Sequence, residues 1–385
     1  MRLTEILVRV PKETGLQEKL YITGNHPALG AWKLPGIPLQ RGGPGLFLAR
    51  LALPEGQTIE CKVHRGSWKK VEKGADGEDI PNHRLIVKAG KRLEIKVARW
   101  KPREKPANST ATGDIRYHKR FVSKHLGNSR TMAVWLPPQY ELQPQRHFPV
   151  LYLHDGQNLF DVATAFAGVE WGADKTALRL IEAGRLEPVI MVGVYNNEDR
   201  LNEYAPISEH SRQAGGKGMA YGKFIVEEVK PFIDRTYRTL PQAEHTGVAG
   251  SSLGGLISLY LGLEYPQVFS KLGVISPALW WGRSWILGQA RRKGKCLRDH
   301  RVWVDMGTQE WGDPENSWKA IQQSRDLVRI FDRHSMLPGR DYYYHEVYDG
   351  LHNEAAWAER LDLILLYFWG LPPAVKKTAA RVRAG

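Results

Sequence analysis

Between residues 247 and 262 the chain reads GVAGSSLGGLISLYLG, which contains Gly250-Ser251-Ser252-Leu253-Gly254. An apolar run precedes Ser252 and a helical pattern follows it at once. A serine at the tip of such a sharp strand-to-helix turn is pushed out with its hydroxyl exposed. The flanking glycines permit the close packing that the turn demands. The N–H of the next residue, Leu253, then points where a carbonyl oxygen of a substrate would arrive. This combination suits nucleophilic attack on a carbonyl carbon.

A serine hydroxyl attacks slowly until a base removes its proton. Residues 342–357, YYYHEVYDGLHNEAAW, predict a strand, a turn at Asp349-Gly350 and then His352 at a helix start. His352 is therefore the predicted base. His345 falls mid-strand in an aromatic run and is read as structural. An acid must accept the second imidazole N–H and fix the tautomer. Residues 301–314, RVWVDMGTQEWGDP, supply three candidates. Asp305 lies within the strand, whereas Glu310 and Asp313 lie in the loop after it. Glu310 is preferred and Asp313 is the alternative. A second oxyanion donor is expected after an early strand. In LYLHDGQNLF (151–160), Gly156 lets the backbone turn and the N–H of Gln157 is the predicted donor.

The elements needed to position these groups are visible in the pattern of apolar runs. Residues 148–156, 188–196, 245–252, 270–278, 301–308 and 342–350 are strand-like runs alternating with helical stretches such as 219–237. Buried strands separated by helices predict a mostly parallel sheet with helices on both faces. Residues 1–100 differ: six short runs rich in Val, Ile, Leu and aromatics recur every ten residues or so, which predicts an all-β sandwich. The expected domains are 1–100, a linker at 101–113, a catalytic domain at 114–370 and a basic tail at 371–385.

The 385 residues are 42% hydrophobic, enough for a sizeable core. No apolar stretch is long enough for a membrane span, and Arg2, Glu5 and Arg9 interrupt the first ten residues. A cytoplasmic protein without a membrane partner is expected. Cys61 and Cys296 lack metal-type or disulfide-framework spacing. The net charge of +14 raises the question of nucleic acid. However, residues 114–370 hold 30 basic and 30 acidic residues, so the excess sits on the front module, the linker and the tail. That distribution argues for a solvated surface rather than a nucleic-acid site. Oligomeric state leaves no signature.

At LHDGQNLF, NNEDRLNEYAP (196–206), AGSSLGG, SPALWW (276–281), VDMGTQE and GLHNEAAW, the region 114–370 resembles the putative-esterase branch of the α/β-hydrolases. That branch includes feruloyl and acetyl xylan esterases, enterochelin esterases, S-formylglutathione hydrolases and mycolyltransferases. The resemblance implies the α/β-hydrolase fold, with Ser252 as nucleophile, His352 as base, Glu310 as acid, and Gln157 and Leu253 as oxyanion donors. Glu310 falls where feruloyl esterases carry an aspartate and mycolyltransferases a glutamate. The Arg200-Glu203-Tyr204 piece is read as structural bracing. The front module is similar to starch-binding modules of the family 20 type at LYITGNHPALGAW (20–32), IECKVHRGSW (59–68) and DIPNHRL (79–85). In that family aromatic faces stack on sugar rings, and Trp32, Lys62 and Trp68 occupy the matching positions. His83 departs from the family pattern by standing between Asn82 and Arg84.

The expected activity is cofactor-free and metal-free hydrolysis of a carboxylic ester through an acyl-enzyme. The expected substrate is a small-molecule or carbohydrate ester, such as an acetyl or feruloyl ester, with α-glucan binding by the front module. Acyl transfer to a sugar hydroxyl, or a glycan-binding protein with a vestigial hydrolase domain, are the alternatives.

Overall fold

In a computed structural model, residues 3–11, 14, 18–43, 45–74, 80–88, 90–100 and 109–372 are described. The chain divides into two compact units, Met1–Ala107 and Asn108–Gly385.

The first unit holds two four-stranded sheets. In one, Leu3–Arg9 pairs antiparallel with Leu46–Ala52 and parallel with Leu93–Lys96, while Gln40–Gly43 forms the edge. In the other, Ile37–Pro38, Tyr21–Gly24, Thr58–His64 and His83–Ile86 are all antiparallel. Alternate residues of these strands point inward, which is how a period-two sequence builds a core. Ile6, Val8, Ile22, Phe47, Ile59, Val63 and Ile95 are buried together. Cys61 and Cys296 are both free thiols.

The second unit is built on one eight-stranded sheet. Its strands are β1 (Asp114–Val122), β2 (Ser129–Leu136), β3 (Val150–His154), β4 (Ile190–Val194), β5 (Thr246–Ser251), β6 (Lys271–Ile275), β7 (Arg301–Gly307) and β8 (Tyr342–Val347). Their spatial order is β1-β2-β4-β3-β5-β6-β7-β8. Strands β3 to β8 run parallel, and β2 is antiparallel to both of its neighbours. This is the α/β-hydrolase arrangement that the sequence implied. The sequence reading did not single out β1 and β2. The polar, exposed pattern of β1 at the sheet edge explains one omission. Helix α1 (Ala173–Glu182) and helix α4 (Leu361–Trp369) cover one face with Trp303, Leu151 and Ile275 beneath them. Helix α2 (Leu253–Glu264) and helix α3 (Pro314–Arg333) belong to the opposite core, with Val248, Leu272 and Val304.

Of the expected linker, 101–108 lie outside the described residues. Residues 109–113 are tied into the second unit. The Ser109 hydroxyl donates to Asp161 at 2.7 Å, and the Thr112 N–H donates to Asp174 at 2.6 Å. Of the expected tail, residues 373–385 also lie outside the described residues. Among the described residues no helix is long and apolar enough to cross a membrane.

Candidate active site

Ser252 stands between the last residue of β5 and the first of α2, with φ 60° and ψ −119°. A non-glycine residue with positive φ is strained, and such strain collects at functional turns. The surrounding glycines make the turn fit. A Cβ at Gly250 would lie 3.0 Å from the Gly254 backbone, and one at Gly255 would lie 2.8 Å from the Ile275 carbonyl oxygen. Side chains there would push α2 off β5 and β6. The turn is clamped from both sides: the Ser252 N–H donates to the Ile275 carbonyl at 3.0 Å, and the Ser252 carbonyl accepts from Ala278 N–H at 3.0 Å.

His352 follows β8 by way of Asp349, whose φ is 53°. Its Nε2 lies 3.0 Å from the Ser252 Oγ. Its Nδ1 meets the Glu310 carboxylate through Oε2. The ring is held by two aromatics. Trp311 stacks on it at 5.2 Å between centroids, and the Trp357 ring lies nearly perpendicular to it at 4.9 Å. These contacts limit ring rotation, so the two nitrogens keep their separate partners.

Glu310 sits in the loop after β7 with its carboxylate buried. Its Oε1 accepts from Gly307 N–H at 2.8 Å and from the Ser276 hydroxyl at 2.6 Å. Gly307 has no room for a side chain: a Cβ would meet the Gly350 carbonyl oxygen at 2.2 Å and Glu310 Oε1 at 2.7 Å. The alternative acid, Asp313, accepts the Asn316 N–H at 2.9 Å and so caps α3, as a short acidic side chain does at a helix start. Asp305 is fully buried and ion-paired with Arg360 at 3.0 Å.

The loop after β3 starts with Asp155 at φ 56°. A Cβ on the next residue, Gly156, would lie 2.3 Å from the Gly193 carbonyl carbon, so the loop lies directly on β4. The Asp155 carboxylate accepts two bonds from Arg200, each 2.7 Å, and one from Asn196 at 2.6 Å. These partners hold it below the usual carboxylate range despite its burial. Arg130 and Glu203 form a second buried pair at 2.8 Å, so the Arg200-Glu203-Tyr204 segment does brace the loop. Gln157 stands in the short helical turn that Gly156 opens, and Leu253 is the first residue of α2; the leading N–H groups of a helix have no partner within it.

Two further titratable groups adjoin the site. Burial pushes the Glu354 carboxyl up to about 7, with the Asp155 charge adding to the effect. Its Oε1 accepts from Asn158 at 3.2 Å. Beneath the serine turn, burial pushes His154 down to about 3, and its Nδ1 lies 2.9 Å from the Tyr221 hydroxyl. The sequence reading missed Ser276, Trp311, Trp357 and Arg360. SPALWW and GLHNEAAW contain two of them, Ser276 and Trp357, but nothing in their spacing reveals the contacts.

In the first unit, Trp32 and Trp68 meet at 6.3 Å between centroids with planes tilted by 40°. Trp68 is 45% exposed. The Lys62 amine donates to the Pro81 carbonyl at 3.0 Å and also to the Ile80 carbonyl. His83 lies 2.8 Å from Glu72, whose side chain is fully buried. The departure from the family pattern is thus matched by a local acidic partner.

Comparison with known proteins places the chain in a family. Residues 123–368 match the family described as Putative esterase, and residues 3–96 match the Starch binding domain. The protein YbbA of Bacillus subtilis is 30% identical over 172 residues, which cover 42% of this chain and 62% of YbbA. The match therefore spans less than two thirds of that relative. An α-amylase of Niallia circulans is 36% identical over 95 residues, which cover 24% of this chain and 7% of the amylase. Among solved structures, the enterobactin esterase FES from Shigella flexneri superposes with a TM-score of 0.54 at 16% identity, covering 95% of this chain and 92% of that one. That likeness is one of fold. The chain belongs to the family described as Putative esterase, which residues 123–368 match, and its residues 3–96 are similar to a starch binding domain.

Proposed function

We propose that this protein hydrolyses carboxylic esters through an acyl-enzyme on Ser252. The observation that carries the reading is the chain of contacts from Ser252 Oγ to His352 Nε2, and from His352 Nδ1 to Glu310. His352 accepts the serine proton as Oγ attacks the ester carbonyl. Glu310 holds the imidazole in the required tautomer and faces the positive charge that develops on it. The N–H groups of Leu253 and Gln157 receive the negative charge on the carbonyl oxygen. His352 then gives its proton to the departing alkoxide. Water, deprotonated by the same nitrogen, attacks the acyl-enzyme, and His352 passes that proton to Ser252 Oγ as the carboxylic acid leaves.

The natural ester is an acylated carbohydrate in this reading. The support is the Trp32–Trp68 pair in a unit that matches a starch binding domain, and its likeness to a segment of an α-amylase. An apolar ring face suits the C–H side of a sugar, and the unit would hold the enzyme near an α-glucan. An ester panel of p-nitrophenyl and carbohydrate acetates and ferulates tests the proposal. Ser252→Ala should lower turnover by about 10⁴-fold or more. Unchanged turnover would remove the nucleophile. Product analysis with added glucose or trehalose separates hydrolysis from acyl transfer.

A further inference from the structure

We propose that Ser276 is a positioning residue for ester hydrolysis, fixing Glu310 through a hydroxyl whose proton has one available direction. The inference rests on Glu310 acting as the acid in the reading above. The Ser276 Oγ lies within hydrogen-bonding distance of three groups: Trp357 Nε1 at 3.0 Å, Arg360 Nη2 at 2.7 Å and Glu310 Oε1 at 2.6 Å. An indole N–H and a guanidinium can only donate, and a hydroxyl has two acceptor positions and one proton. The tryptophan and arginine therefore occupy both lone pairs. The proton is left to the carboxylate. Donation into the oxygen from two sides, one of them cationic, also strengthens the bond it makes in turn.

The hydroxyl is itself held in place. Ser276 has φ 39°, a conformation that costs a serine energy and must be imposed from outside. Its N–H is shared between the Asp305 carbonyl at 3.1 Å and the Asp305 carboxylate at 3.0 Å. The same carboxylate accepts from Arg360 at 3.0 Å and from Trp303 Nε1 at 2.6 Å. Asp305 and Arg360 are both buried, so this ion pair is poorly screened and its geometry is fixed. A chain of contacts thus runs from the interior of β7 through Ser276 to Glu310 and on to His352.

The arrangement has a reason in the length of the acid. Glutamate has one more rotatable bond than aspartate, so its carboxylate needs more fixing to meet an imidazole. Pinning Oε1 with the Ser276 hydroxyl and the Gly307 N–H leaves Oε2 aimed at His352.

The test is a double-mutant cycle on p-nitrophenyl acetate hydrolysis with Ser276→Ala, Glu310→Ala and the pair. Ser276→Ala should lower kcat about tenfold to a hundredfold, the cost of a misplaced catalytic group, with KM changed less than about twofold. In the Glu310→Ala background it should lower kcat no further, since the group it positions is gone. Ser276→Gly, which adopts positive φ freely, provides a second variant lacking the hydroxyl and should match Ser276→Ala. If Glu310→Ala keeps full kcat, the acid assignment fails and this inference fails with it. If Glu310→Ala is impaired while both Ser276 variants keep full kcat, the positioning role is overturned and the triad stands. Fully additive losses in the double variant would also overturn it.

Discussion

Replacing Gly156 with alanine tests whether the loop after β3 supplies an oxyanion donor. The new Cβ would lie 2.3 Å from the Gly193 carbonyl carbon, 2.5 Å from its oxygen and 2.6 Å from Val194 N. All three atoms are backbone of β4, which is paired on both sides and cannot retreat. Ordinary carbon contacts sit near ~3.5 Å, so the loop must shift by about 1 Å. The neighbouring Gln157 N–H shifts with it. Losing one oxyanion donor costs about 10²–10³-fold in kcat, or roughly 2.7–4 kcal/mol. The expected outcome is a kcat lower by about 10²-fold, with KM within about threefold, because the interaction matters in the transition state. Two other glycines complete a graded series. A Cβ at Gly193 would meet Leu159 Cδ1 at 2.9 Å and Gly156 Cα at 3.0 Å, so Gly193→Ala should give an intermediate loss. A Cβ at Gly288 meets nothing within 4 Å, so Gly288→Ala should leave kcat unchanged. The assay is steady-state ester hydrolysis, with near-UV circular dichroism to establish native packing. A natively packed Gly156→Ala enzyme with kcat within about threefold of the parent would refute the assignment of Gln157.

Two more perturbations bear on the other parts of the molecule. The Glu354 carboxyl is raised by burial from 4.5 to about 7, so its neutral form stabilises the fold fully below pH 4.5 and ceases to do so above about 7. The Tm of the parent relative to Glu354→Gln should therefore fall from pH 5 to pH 8; parallel Tm curves would show that the carboxyl stays hydrated. Trp68→Ala should weaken retention on immobilised amylose by about tenfold, from about 1.4 kcal/mol of lost ring contact, without changing p-nitrophenyl acetate turnover. Equal retention by the two proteins would rule out Trp68 as a sugar platform.

Much of the site can be read in the sequence because its parts are local. A strand, a sharp turn and a helix around Ser252 announce themselves in sixteen consecutive residues, since glycine spacing and apolar period are properties of a short segment. His352 and Glu310 are legible for the same reason: each lies just past the end of an apolar run. The choice between Glu310 and Asp313 was open in the sequence, because both are acids in one polar loop. The tertiary structure separated them by giving Asp313 a helix to cap and Glu310 an imidazole to meet.

The sequence by itself determined the two kinds of module, the parallel-sheet character of the second, and the three segments whose Ser252, Glu310 and His352 side chains meet. Only the tertiary structure decided what stands behind them. Arg360 lies 55 residues from Asp305 and 84 from Ser276, and no periodicity links such distant positions. Their meeting follows from β6 and β7 lying side by side and from the start of α4 packing over them, where unpaired buried polar groups are too costly to leave alone. A helix or a turn leaves a repeating trace in the chain; a buried polar contact between distant segments leaves none.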